Sequence, residues 1–120
     1  MGVITDLSEK FFQGQLDPAL HHPFSPLMAI EELGPNLAFV SSFANVTALA
    51  TPEGLVLFDT GSFLLAPMVH GLVRSYSKQP LHTAIYTHGH IDHCFGVELY
   101  EAESLGPVRV VAHEIGRAHV

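Results

Sequence analysis

The segment His88-Gly89-His90-Ile91-Asp92-His93 packs three imidazoles and a carboxylate into six consecutive residues. Imidazole and carboxylate together are donors that suit zinc, with iron and manganese as alternatives for the same mixed set. On an extended segment, residues two apart point to the same side, so His88 and His90 can reach one cation. Asp92 and His93 lie past a bend and can reach a second. Gly89 removes a Cβ where the backbone must turn close to the ions. The competing reading is a histidine-rich surface loop, since the chain holds nine histidines in 120 residues. Shuffling that composition produces this spacing roughly twice in a thousand trials, which makes a metal site the expected reading.

The other candidates are weaker. His21-His22 sits among prolines and His70 lies on a helical stretch between apolar neighbours, so solvated or packed roles are expected for both. His82 enters a strand and is read the same way. Cys94 follows the motif directly, but a free cysteine most often behaves as a small buried hydrophobe. Glu98, Glu101 and Glu103 are expected on the wet side of the helix after the motif.

The elements that must position the motif follow from residue periods. Thr83 to Thr87 is β-rich and leads straight into it. Upstream, Leu37 to Phe43 and Val46 to Thr51 form a β-hairpin, and Pro52-Glu53-Gly54 supplies the turn into a buried strand over Leu55 to Phe58. Leu65, Met68, Val69, Leu72, Val73 and Tyr76 recur at helical steps, and Pro67 sits near the start of that helix. Val97, Leu99 and Tyr100 resume a helical pattern after the motif, and Val108 to Ala112 is a last strand. Strands alternating with helices predict an α/β layer. Pro18, Pro23, Pro26 and Pro35 interrupt the first third, where only Leu7 to Phe12 is amphipathic, so residues 1–36 are expected to be an irregular lead-in.

His-x-His-x-Asp-His after one strand, preceded by Asp59-Thr60-Gly61 after an earlier strand, resembles the metallo-β-lactamase superfamily over Leu37 to Ala112. The resemblance implies an αββα sandwich, with residues 37–120 as the N-terminal half of such a domain. His88 and His90 are then ligands of a first metal, and Asp92 and His93 ligands of a second. Asp92 is also the catalytic residue that orients the nucleophilic water and accepts its proton, and Asp59 braces the metal loop. Zinc is the implied cofactor, two ions in a complete domain. The family's remaining ligands belong to the second half. His113 comes early for a third ligand and is expected in a strand-end loop rather than in the coordination shell.

The implied function is metal-dependent hydrolysis by a metal-activated hydroxide. The substrate would be a small molecule of ester, thioester, sulfate-ester or amide type. Ile85-Tyr86-Thr87 and Phe95-Gly96-Val97 lean toward alkyl-sulfatase-related members. The alternative is a truncated product that holds metal weakly, lacks turnover and serves as a metal-binding or interaction module.

Composition excludes other classes. Five Lys and Arg against 12 Asp and Glu give a net charge of −7, which opposes a nucleic-acid backbone or an anionic membrane as partner. No apolar run approaches the roughly 18 to 20 residues that a membrane span needs. Residues Met1 to Asp6 have no basic start of the secretory type. The single Cys94 cannot make an internal disulfide, so a reducing, cytoplasmic setting is expected. With 14% charged residues and a mean hydropathy of +0.29, a chain this short is expected to keep apolar surface exposed and to self-associate.

Overall fold

Alternating burial along each strand decides which way the sheet faces. In the computed structural model, which describes residues 2–22, 27–103 and 107–114, one six-stranded sheet runs in the order β1 to β6. The strands are β1 (Ala29–Gly34), β2 (Leu37–Ser41), β3 (Val46–Thr51), β4 (Gly54–Phe58), β5 (Leu81–Ile85) and β6 (Arg109–Val111). The first four are antiparallel neighbours, whereas β5 and β6 are added in parallel. Parallel strands need crossovers, and these are α2 (Ala66–Tyr76) and the short α3 (Val97–Glu101). The fold is therefore α/β, with the hairpin, both crossover helices and the last three strands where the residue periods put them.

The core lies under the two crossover helices. Ala38, Val40, Val46, Ala48, Leu55, Leu57 and Ala84 point from the sheet toward Val69 and Val73 of α2, joined by Val97 and Tyr100 of α3. Full burial of a side chain such as Leu57 is worth about 1.5 to 3 kcal/mol. On the other face Phe39, Leu49, Val56 and Phe58 are also apolar but only half-buried. Strands that are apolar on both sides belong to a middle layer rather than to a surface sheet.

The turn from β3 into β4 requires glycine. Gly54 has φ +135°, and a Cβ there would stand 2.9 Å from the Pro80 carbonyl oxygen. This close approach lets β5 start beside β4, with Leu55 N donating to Pro80 O at 2.9 Å.

Residues 1–36 are not an irregular lead-in. They contain a ten-residue helix, α1 (Val3–Phe12), as well as the edge strand β1. Pro18 and Pro35 lie outside these elements rather than inside them, so they delimit structure instead of preventing it. Ile4, Leu7 and Phe11 share one face of α1. The helix is fastened to β1 through Glu31, whose Oε2 accepts from Thr5 N and whose Oε1 accepts from Thr5 Oγ1, each at 2.8 Å. A glutamate pair concealed the strand, and Glu31 can be buried there because Thr5 satisfies it.

Candidate metal centre

Two strand ends build the site. The parallel register sets Phe58 beside Ile85, so the residues after β4 and β5 emerge together at one end of the sheet. Asp59 N donates to Ile85 O at 2.8 Å and holds the two exits side by side. Immediately after β4 the backbone turns through Asp59 at φ +64° and Gly61 at φ +91°. A left-handed non-glycine residue is costly unless it is Asn or Asp, whose short polar side chains tolerate it. This turn drives the Asp59 carboxyl inward, where it is 4% exposed.

The carboxylate gathers three donors. Its Oδ1 accepts from Thr87 N at 2.8 Å, and its Oδ2 accepts from Thr87 Oγ1 at 2.7 Å and faces His93 Nδ1 at 2.7 Å. An ionised carboxylate only accepts, so His93 carries a proton on Nδ1, and in the neutral ring Nε2 is then the lone pair. That nitrogen lies 3.5 Å from Asp92 Oδ2. Thr87 Oγ1 is also 3.0 Å from His88 Nδ1.

Thr60 and Gly96 clamp the far side of the loop. Thr60 N and Thr60 Oγ1 both donate to His93 O, at 2.8 and 3.0 Å, and Gly96 N donates to Thr60 Oγ1 at 3.1 Å. A Cβ on Gly96 would stand 2.1 Å from Thr60 O, so only glycine allows this approach. Cys94 Sγ donates to His88 O at 3.4 Å. Burial, reinforced by the Asp59 and Asp92 carboxylates, pushes its thiol pKa up, so Cys94 is a protonated packing residue. Burial likewise pushes the Tyr86 phenol up to about 12, and its hydroxyl donates to Cys94 O at 3.2 Å.

These bonds bring the motif's imidazoles together. The ring centroids of His88 and His93 lie 4.0 Å apart and those of His88 and His90 lie 4.5 Å apart. Among the described residues no three His, Cys, Asp or Glu side chains close around one ion position; the rings lie against one another instead. The donor chemistry nevertheless fits a transition metal. A histidine whose Nδ1–H is held by a buried carboxylate, leaving Nε2 as the lone pair, is the arrangement metal-ligating histidines almost always adopt. His113 stands exposed two residues beyond β6, at the sheet end from which the motif loop also leaves, because Ile85 pairs with Val111.

His70 is held apart from the motif. His70 Nε2 sits 2.6 Å from Glu103 Oε1 and its ring packs edge-on against Tyr100. Arg74 Nε donates to the other Glu103 oxygen at 2.8 Å, so Glu103 ties α2 to the end of α3 instead of simply facing water. Glu98 and Glu101 are exposed. Thr60, Thr87 and Gly96 are the site residues that residue-type reasoning missed. Of these only Thr60 had a visible signal, its place inside Asp-x-Gly.

Two clefts meet at Asp92. One, of about 730 Å³, lies between α1 and the β2–β3 turn and is walled by Leu7, Phe11, Phe39 and Phe43, with His93 at its edge. The other, of about 660 Å³, is framed by Phe43, Phe63, Leu64, Ile91 and Phe95. Phe63, Leu64 and Ile91 are 76%, 82% and 71% exposed, a contiguous apolar rim of the kind that marks a binding surface.

Residues 41–119 match the family model described as the metallo-beta-lactamase superfamily. Over 70 residues the chain is 36% identical to a linear primary-alkylsulfatase of Pseudomonas sp. (strain ATCC 19151), covering 55% of this chain and 13% of that protein. A solved structure of a double mutant of the sec-alkyl sulfatase PisA1 superimposes with a TM-score of 0.57 at 32% identity, over 68% of this chain and 14% of that one. A metallo-β-lactamase from Cronobacter sakazakii superimposes with a TM-score of 0.66 at 19% identity, over 84% of this chain and 37% of that one. The lactamase likeness carries the fold. The chain thus spans about an eighth of the sulfatase relative's length. Among the described residues no helix is long and apolar enough to cross a membrane.

Proposed function

Because the chain belongs to the metallo-β-lactamase superfamily, a family of hydrolases, we propose that it forms part of a metal-dependent enzyme cleaving sulfate esters of apolar alcohols. The observation that carries the substrate class is the apolar cleft ending at Asp92. A cleft rimmed by Phe63, Leu64, Ile91 and Phe95 takes an alkyl or similar tail and leaves the charged head at the histidine loop. The identity to an alkylsulfatase supports the same choice.

In this reading His88 and His90 hold one ion and Asp92 and His93 a second, with Asp59 fixing the His93 ring. Zinc fits these donors, and iron or manganese would take the same set. A bound pair of such ions supplies Lewis acidity and a water acid enough to ionise near neutral pH. The residues do the rest. Asp92 orients the water and takes its proton, and Asp59 keeps His93 Nε2 deprotonated and aimed. The apolar rim holds the tail and excludes bulk water from one side. The six-stranded sheet, β1 included, and its helices act as one half of a two-half domain, whose partner half covers Phe39, Leu49, Val56 and Phe58. A reducing compartment remains the working location, on the strength of the lone buried thiol.

The test is zinc-dependent sulfate release from a primary alkyl sulfate by the full-length protein, beside a β-lactam and a thioester. Sulfate release that rises with tail length supports the reading. Turnover of the β-lactam or thioester alone overturns the substrate class and keeps the hydrolase. No metal-dependent hydrolysis of any of the three overturns the hydrolase reading itself.

A further inference from the structure

Thr87 Oγ1 lies between two groups that make incompatible demands on its single proton. It is 2.7 Å from Asp59 Oδ2 and 3.0 Å from His88 Nδ1. If the hydroxyl donated to the imidazole, two bare oxygens would face each other at the Asp59 contact, a repulsive arrangement beside a buried carboxylate. The proton therefore goes to Asp59, since a carboxylate only accepts. The hydroxyl then offers lone pairs to His88, and Nδ1 of that ring must carry a hydrogen.

We propose that Thr87 is a positioning residue that sets the tautomer of His88, relaying the Asp59 carboxylate to a second histidine. Asp59 acts on His93 directly and on His88 through Thr87, so one buried carboxylate leaves both rings with Nε2 as the lone pair. The two histidines stand on opposite sides of the His90 to Asp92 bend, and their rings already lie 4.0 Å apart. A ring released from the relay is free to place its hydrogen on Nε2, which blocks that nitrogen as a donor to a cation. The relay concerns the ring's own hydrogen and is present without any ion, while its consequence for metal binding rests on the proposed metal centre.

The experiment compares Thr87→Val, Thr87→Ser and the parent protein. All three keep the backbone bond from residue 87 to Asp59 Oδ1, and an unchanged amide spectrum checks the fold. Nitrogen-15 NMR of the histidine rings without metal reads the tautomer, and chelator competition reads zinc affinity. The expected result is His88 protonated on Nδ1 in the parent and in Thr87→Ser, but shifted toward the Nε2 form in Thr87→Val, with His93 unchanged. Zinc affinity should fall about tenfold in Thr87→Val, at the low end of what loss of an outer hydrogen bond costs a metal site, and recover with serine. A parental His88 tautomer in Thr87→Val overturns the relay, as does a serine variant as impaired as the valine one. Parental protein that binds no zinc while the tautomers shift as expected overturns the metal centre and leaves the relay standing.

Discussion

Replacing Asp59 by Ala and by Asn separates what the carboxylate does for the fold from what it does for the site. Alanine deletes an acceptor of three donors, Thr87 N, Thr87 Oγ1 and His93 Nδ1. Thr87 is exposed and its amide bond to Asp59 only part-buried, so water can replace part of what is lost, and deleting the shared acceptor of the three bonds costs about 1 to 3 kcal/mol in all. Alanine at φ +64° adds about 1 kcal/mol of left-handed strain that aspartate tolerates. The expected loss of stability is about 2 to 4 kcal/mol. Asparagine keeps the backbone conformation and an oxygen for Thr87 N, so it should cost only about 1 kcal/mol. Its NH₂ group, however, meets two donors where Oδ2 stood. To relieve that clash His93 must present a bare Nδ1 and carry its hydrogen on Nε2. Both variants should therefore lose about 10- to 100-fold in zinc affinity although only alanine is strongly destabilised. Urea unfolding without metal and chelator competition measure the two quantities. Parental zinc affinity in Asp59→Asn would refute the assignment of His93.

Three further outcomes follow from the same structure. Gly96→Ala forces a Cβ to within 2.1 Å of Thr60 O, so the loop must move, at about 1 to 3 kcal/mol by urea unfolding, with displaced amide signals for His93 to Val97. At Glu31, burial pushes the carboxyl up but the bonds from Thr5 and Gly2 outweigh it, and its pKa is lowered from 4.5. A lowered carboxylate stabilises the folded form above the unfolded value and loses that contribution as pH falls through the folded one. Protection of the Thr5 amide, measured against its intrinsic exchange rate at each pH, should accordingly fall as pH drops below about 4.5 in the parent, while Glu31→Gln shows low protection already at neutral pH and no such acid step. On the alkyl-sulfatase reading, Ile91→Asn should raise KM for long-tailed sulfates more than for short ones, with zinc content unchanged; equal effects on both would remove Ile91 from tail binding.

Legibility in the sequence followed how local each cause was. The His-x-His-x-Asp-His run, the Asp-x-Gly turn and the strands leading to them are written in consecutive residues, and the core strands show an unbroken period of two or a continuous apolar run. The strand over Ala29–Gly34 was not legible because Glu31 and Glu32 break that period, and the partner that permits Glu31 inside is Thr5, 26 residues away. Helix α1 was half visible; its face begins at Ile4, before the stretch from Leu7 that was recognised. Thr60 is marked only by its place inside Asp-x-Gly, and Thr87 and Gly96 carry no signal of their own. Gly96 is required only because the carbonyl of Thr60, 36 residues earlier, passes where its side chain would be.

The joint at which fold becomes chemistry is the parallel register of β4 and β5. Phe58 opposite Ile85 places Asp59 level with the residues leaving β5, close enough for both oxygens to reach Thr87. A slip of one residue would turn every side chain of one strand to the other face. It would put Leu57 among the half-buried residues and point the Asp59 carboxyl away from the motif loop. The register is secured from inside the core, by Leu55, Leu57 and Ala84 under α2 and α3, and from the glycine turn at Gly54. The loop itself is then held chiefly by main-chain bonds to Thr60 and Gly61 rather than by packing of its own side chains. This division explains why Phe63, Leu64, Ile91 and Phe95 can remain exposed around it. They are not needed to hold the loop, and so are left to line the apolar cleft beside it.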